Sequence, residues 1–172
     1  MSAAGGLAGI GPDGQRIFGV VPPEMALALS GLEFLTRIAD GRLPAPPFAG
    51  TANMALVEVA DGRAVFEANP LPAFFNPMGT IHGGWVATVL DSALGCAVHS
   101  TLPPGKIYST VELSLRLVRK VMPASGPVRC EGRIVHAGRS MATAEARLFD
   151  KDGKLAAHGA TTCMIVDARA GA

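Results

Sequence analysis

A chain of 172 residues is long enough for one domain with a sizeable buried core. Only 17% of its residues are charged and the formal net charge is +1, so it lacks the electrostatic footprint of a nucleic-acid binder or of a protein drawn to an anionic membrane. Hydrophobic residues make up 49% but aromatic ones only 5%. Ala, Val, Leu, Ile and Met must therefore build the core, and contact between subunits can bury part of the apolar surplus. Cys96, Cys130 and Cys163 are widely spaced in apolar runs and form no CxxC pattern. That argues against a disulfide framework or a zinc site and for a reducing compartment. The first residues lack a basic stretch leading into an apolar one, and no apolar run is long enough to span a membrane. A cytoplasmic location is expected.

Residues 1 to about 15 are rich in Gly and Ala and read as loosely attached or disordered. A helix is expected from Pro22 to Asp40: prolines suit its first turn, Gly41 its end, and Met25, Leu29, Leu32, Leu35 and Ile38 form an apolar stripe. The proline-rich stretch from Leu43 to Gly50 reads as a connector that cannot be regular helix. Strands at 53–59 and 64–69 flank the hairpin signal Asp61-Gly62. An apolar helix over about His82–Ser100 follows, stopped by Pro103, Pro104 and Gly105. From Ile107 to Val118 the period changes to two, with Ile107, Ser109, Val111, Leu113, Leu115 and Leu117 on one face of a long strand. Further strands are expected at 128–137, 141–149 and 155–166, joined by turns at 136–139 and 150–153, and 168–172 is a small-residue tail. This order gives an α+β protein in which one long helix is wrapped by an antiparallel sheet. A helix apolar on every side needs more cover than one sheet supplies, so a second subunit is the natural complement.

The chain is organised around the stretch from Asn76 to Asp91, NPMGTIHGGWVATVLD. Between Ile81 and Val98 the only side chain charged at neutral pH is Asp91, and a lone carboxylate in an apolar helix must be solvated, paired or used. Helical spacing puts Gly84, Ala87, Thr88, Asp91, Gly95 and Val98 on one mostly small side, which leaves a groove over Asp91. Trp85, Val86, Val89, Ala93, Cys96 and Ala97 form the sheet-facing side. Gly83 and Gly84 open the helix, and free N–H groups there can stabilise a developing oxyanion. Gly83 and Asp91 are eight residues apart, roughly 12 Å along one helix. They cannot serve the same carbonyl from one chain, so joint action requires two chains. Read from the residues alone, Asp91 serves equally well as a partner for Thr88 or Ser92 or across a subunit contact. His82 suits capping, and Asn76 suits a turn before Pro77.

The order Asn76, Gly79, His82-Gly83-Gly84 and Asp91 resembles the PaaI-type acyl-CoA thioesterases of the hotdog fold. The resemblance covers residues 51–167 and leaves 1–50 as an N-terminal extension with a helix and a Pro-rich connector. It implies a homodimer, or a tetramer, with active sites at the subunit interface. The substrate would be an acyl- or aryl-CoA thioester, cleaved to the free acid and CoA. No cofactor is implied, because coenzyme A is part of the substrate. Gly83 would offer its N–H to the thioester oxygen, and Asp91 of the other chain would be nucleophile or general base. Asn76 would position water or thioester, and His82 would orient the loop and contact the carbonyl region. Thr110 would help hold water. Because alternation puts Thr110 with Glu112 and Arg116, that role requires a strand end, a bulge or a subunit seam. Gly84 and Thr88 would line the substrate path. The turn His136, Gly138, Arg139 and Ser140 would meet the pantetheine arm and phosphates, with Arg116, Arg119 and Lys120 as further cationic candidates.

Two other functions fit the same pattern. A hotdog dehydratase or hydratase would use a catalytic histidine in a different arrangement. A non-catalytic acyl-CoA binding protein would bind without releasing thiol. A metal enzyme is not expected, since His82, His99, His136 and His158 show no ligand spacing.

Overall fold

A computed structural model describes residues 14–168. The expectations for the first thirteen residues and for most of the tail fall outside that range. The hairpin is formed by β1 (Met54–Ala60) and β2 (Arg63–Ala68), with Gly62 at φ 70° in the turn. The long helix spans Gly83–His99, preceded by three short ones at Pro23–Leu27, Gly31–Ala39 and Pro47–Thr51. In chain order these are α1, α2, α3 and, for the long helix, α4. Strands β3 (Lys106–Leu117), β4 (Val128–Ala137), β5 (Met141–Phe149) and β6 (Leu155–Asp167) complete the chain. All strands pair antiparallel in one six-stranded sheet of order β1-β2-β4-β5-β6-β3. The α+β reading of a single long helix against an antiparallel sheet is therefore correct.

Helix α4 lies across one face of this sheet and packs most heavily on β4. Trp85, Val86, Val89, Leu90, Ala93, Leu94, Ala97 and Val98 are buried against it. The strands meet the helix with small residues. Ala142, Ala144 and Ala146 of β5 are buried, and a Cβ on Gly132 of β4 would come within 2.2 Å of the Ala93 carbonyl oxygen. This close approach is possible only because Gly132 has no side chain.

Three expectations are corrected. The helix foreseen over 22–40 is two helices, because Ser30 caps a new start: its side chain accepts a hydrogen bond from the Glu33 N–H at 3.2 Å. The connector over 43–50 runs into α3, where Pro47 takes the first helical position and gives up an N–H that has no helical partner there. The strict alternation foreseen along β3 breaks at a bulge: Thr110 pairs with Cys163 and Glu112 with Thr162, leaving Val111 extra. Before the bulge Tyr108 turns inward and Ile107 outward; after it Leu113 and Leu115 pack on the core.

Strand β3 is an edge of the sheet, bonded to β6 on one side only. Ile107, Val111, Leu117 and the following Val118 are exposed along it. On the outer face of β1, β2 and β4 an ion-pair cluster joins Glu58, Arg63, Glu67, Arg129, Glu131 and Arg133. Among the described residues no helix is long and apolar enough to cross a membrane.

Candidate active site

The loop before α4 is held by Asn76. Its Oδ1 accepts from the N–H groups of Met78 (2.9 Å) and Thr80 (3.2 Å), while Nδ2 donates to Thr80 Oγ1 at 2.8 Å. The backbone closes the same turn from Asn76 N–H to the Thr80 carbonyl, and Gly79 supplies a φ of 70°. Asn76 is thus mainly a loop-closing residue, with one amide hydrogen left over. His82 is the N-cap of α4. Its Nδ1 accepts from the Gly84 N–H at 2.9 Å, which puts the proton of the neutral ring on Nε2. The Gly84 N–H is thereby occupied. The Gly83 N–H carries no hydrogen bond among the described residues, so a free donor stands at the positive end of a 17-residue helix. Gly83 opens on a hollow of about 360 Å³ that Asn76, Thr80, Leu117, Arg119 and Lys120 also line.

Asp91 lies two turns further along α4 and is half-buried. Its Oδ1 accepts from Thr110 Oγ1 at 3.2 Å. The bulge at Val111 lets Thr110 face the helix. Thr88 and Ser92, the local partners the sequence offered, are turned to their own backbone instead. Thr88 donates to the Gly84 carbonyl at 3.0 Å and Ser92 to the Thr88 carbonyl at 2.8 Å.

Asp91, Thr88 and Ser92 stand at one side of a larger cavity of about 650 Å³, which continues past Cys96, His99 and Tyr108. The expected helix faces need adjusting here. Cys96 belongs to the cavity side and Val98 is wholly buried on the sheet side. Cys96 is no rival nucleophile, since burial and then the charge of Asp91 push its thiol up to about 12. Burial lowers the pKa of His99, which sits between the rings of Phe34 and Tyr108 with centroids 5.7 Å from each. The same burial raises the Tyr108 phenol well above its ordinary value.

Within one chain the residues singled out from sequence fall into separate places. Asn76 and Gly83 share the smaller hollow; Thr88 and Asp91 share the larger cavity, with Thr110 bonded to Asp91. His136, near the end of β4, and Gly138, Arg139 and Ser140 of the β4–β5 turn line neither hollow. Sequence reasoning passed over Tyr108 and His99 as cavity residues, because strand alternation put Tyr108 on the outer face. Among the described residues no three His, Cys, Asp or Glu side chains gather to hold a metal.

Comparison with known proteins bears on the family and the fold. The family model for the thioesterase superfamily matches residues 78–157, which contain the glycine-opened start of α4 and Asp91. A candidate thioesterase from Ralstonia eutropha JMP134, a phenylacetic acid degradation-related protein, is 31% identical, with a TM-score of 0.69 over 76% of this chain and 98% of that one. The PaaI protein of the E. coli phenylacetic acid degradation operon shares the fold at 15% identity and a TM-score of 0.65, over 70% of this chain and 85% of its own. A Streptococcus mutans UA159 protein solved bound to acetyl CoA does so at 22% and 0.62, over 69% and 92%. With a helix entered through His82-Gly83-Gly84, the antiparallel sheet around it and the 31%-identical relative, the chain belongs to the thioesterase superfamily, with the hotdog fold.

Proposed function

We propose that this protein hydrolyses acyl-CoA thioesters in a homodimer, each active site combining Asp91 of one chain with Gly83 of the other. The observation that carries the reading is the separation of two incomplete half-sites. A free N–H at the start of α4 and an under-bonded carboxylate two turns on open into different hollows of the same chain. The edge of β3 supplies a means of pairing: a twelve-residue strand with one side unbonded and apolar residues exposed is a template for a second copy.

In the site so formed, the Gly83 N–H and the dipole of α4 stabilise the oxyanion as the thioester carbonyl becomes tetrahedral. Asp91 takes a proton from water, the water oxygen bonds to the carbonyl carbon, the C–S bond breaks, and CoA leaves as a thiolate that is then protonated. Alternatively Asp91 attacks the carbonyl itself, expels the thiolate and forms an anhydride that water then cleaves to the acid. Thr110 orients the carboxylate in either route. Arg119 and Lys120, beside Gly83, are suited to the CoA phosphates. The acetyl CoA bound by the Streptococcus mutans relative supports a CoA thioester as substrate. Arg139 on the exposed β4–β5 turn reaches the nucleotide only from outside these hollows.

The test is thiol release from a panel of acyl-CoAs by the wild type and by Asp91→Asn, with circular dichroism to confirm the fold. Turnover is expected to fall by about a thousandfold when the base or nucleophile is lost. Near wild-type turnover in the folded variant would refute the reading. The hydratase alternative needs His82 for proton transfer, whereas here one of its ring nitrogens is taken up in capping α4. Crotonyl-CoA hydration measured beside thiol release separates the two. Tight acyl-CoA binding with no thiol released would identify a binding protein.

A further inference from the structure

The cavity beside Asp91 is not closed by the sheet and α4 alone. Its far wall comes from the N-terminal segment that precedes β1: Val21, then Phe34 and Ile38 of α2, then Ala45 and Phe48 of the connector and α3. None of these residues lies in the stretch 78–157 that the family model matches. The wall is tied down at several points. Arg16 donates to the Ile38 and Ala39 carbonyls at the end of α2, at 2.9 and 3.3 Å. Phe18 bridges Ala45 in parallel, with Ala45 N–H bonded to the Ile17 carbonyl and Gly19 N–H to the Ala45 carbonyl. Val21, Ile38, Leu43 and Ala45 are buried together as a cluster of their own. Among the described residues the lining has no acidic or basic side chain besides Asp91 and His99, and burial favours the neutral form of His99.

Building on the hydrolysis reading above, we infer that segment 16–49 is the acyl-length selector of this protein, and that its substrates carry medium- to long-chain aliphatic acyl groups. With the thioester carbon at Asp91, the acyl chain runs along the uncharged side of α4, past Cys96, toward Phe34. A cavity of about 650 Å³ is within the range that takes up a drug-sized apolar ligand and is far larger than an acetyl group requires. A single aryl ring would leave much of it unfilled. Cys96, about one and a half turns beyond Asp91, narrows or widens the channel near its start. Phe34, which packs against both hydrophobic clusters, sets its depth.

The experiment compares specificity constants for thiol release from straight-chain acyl-CoAs, acetyl to palmitoyl, and from phenylacetyl-CoA. For the wild type, kcat/KM is expected to rise about fourfold per added methylene through the medium range, the transfer increment of one buried CH2, and then to level off. Cys96→Phe should lower the long-to-short ratio at least tenfold, while Phe34→Ala should raise it and move the optimum to longer chains. Opposite shifts cannot arise from a general loss of structure. A preference for acetyl- or phenylacetyl-CoA would overturn the inference, as would two variants that scale all chain lengths equally. Calorimetry on the Asp91→Asn protein reads the length dependence of binding without turnover. If no acyl-CoA is cleaved by the wild type, the hydrolysis reading fails, and length-independent binding would then dispose of the selector as well.

Discussion

Two half-sites on one helix make a subunit-complementation experiment decisive. Gly83 and Asp91 are eight residues apart on α4, about 12 Å at 1.5 Å per residue. An oxyanion donor and an attacking group must both lie roughly 3 Å from the reacting atoms, so one helix cannot supply both. The perturbations are Asp91→Asn, which removes the base or nucleophile, and Gly83→Pro, which removes the donor N–H. The structure explains why Gly83→Pro should leave the helix standing. Position 83 is the first helical residue, where the N–H has no helical partner and proline is favoured. The preceding His82 has φ −61° and ψ 134°, the extended conformation that proline demands of its predecessor. A Cβ at position 83 meets only the tip of Leu117, at 3.0 Å, and that side chain is 50% exposed and free to turn away.

Each variant alone should fall to about a hundredth of wild-type turnover or less, since each leaves both sites of the dimer without an essential group. In a mixed dimer one site carries both lesions and the other carries none. Coexpression in equal amounts makes half of the dimers mixed, each with one working site of two, so activity should return to about a quarter of wild type. Mixed dimers isolated through two different tags should show about half. The assay is thiol release per dimer on a single acyl-CoA. Mixed dimers no more active than their parents would refute the division of the site between chains.

Other consequences follow from single contacts. Thr110→Val removes the hydroxyl that donates to Asp91 at 3.2 Å while keeping the side chain's shape. Such a bond to an ionised group, partly exposed as here, predicts a loss of about tenfold in kcat with KM nearly unchanged. Gly132→Ala would force a Cβ to within 2.2 Å of the Ala93 carbonyl oxygen, in helix backbone that cannot rotate away. Urea unfolding should show a loss of about 3 kcal/mol, the upper end for an overpacked core. Stability should also depend on acid pH. Hydrogen bonding from Arg63, with Arg133 adding to it, holds the Glu131 carboxyl below its ordinary value, and Arg129 and then Arg63 do the same for Glu58. A carboxyl whose folded pKa is lowered contributes fully above its unfolded pKa and loses that contribution as pH falls through the folded value. The melting temperature should therefore be level from about pH 8 to about pH 5 and fall below about pH 4.5, less steeply in Glu131→Gln.

What the sequence made legible was mostly local. Asp61-Gly62 between two alternating runs marked a hairpin, and Gly62 occupies the positive φ that such a turn needs. Residues 83–99 carried a run of apolar residues too long for a strand, and they form α4. The errors arose where one local signal hid another. Ser30-Gly-Leu-Glu33 is a helix start inside an apolar stripe, so a continuous period was read through a real break. The three prolines in the connector were read as excluding helix, when Pro47 stands where proline is welcome. The cavity was beyond reach because its walls, from Val21 to Tyr108, are brought together by tertiary packing with no common spacing.

Asp91 shows how the two levels combine. From sequence it was an isolated carboxylate that could be satisfied by Thr88 or Ser92 on its own helix. A hydroxyl has a single proton to donate, and both hydroxyls have given theirs to backbone carbonyls one turn back. The donor that does reach Asp91 is Thr110, on a strand whose regular alternation would have turned it away. The extra residue at Val111 reverses the phase, so the bulge is what brings the hydroxyl to the carboxylate. A carboxylate kept for structure would be ringed by donors, because each unfilled lone pair away from water lowers stability. Asp91 receives one long hydrogen bond, is half-buried, and borders an otherwise uncharged cavity. In the proposed hydrolysis its remaining lone pairs would meet the thioester and a water. With a single protein donor beside an otherwise uncharged cavity, the carboxylate is left able to take a proton from water or to attack a carbonyl, which is what the proposed hydrolysis asks of this part of α4.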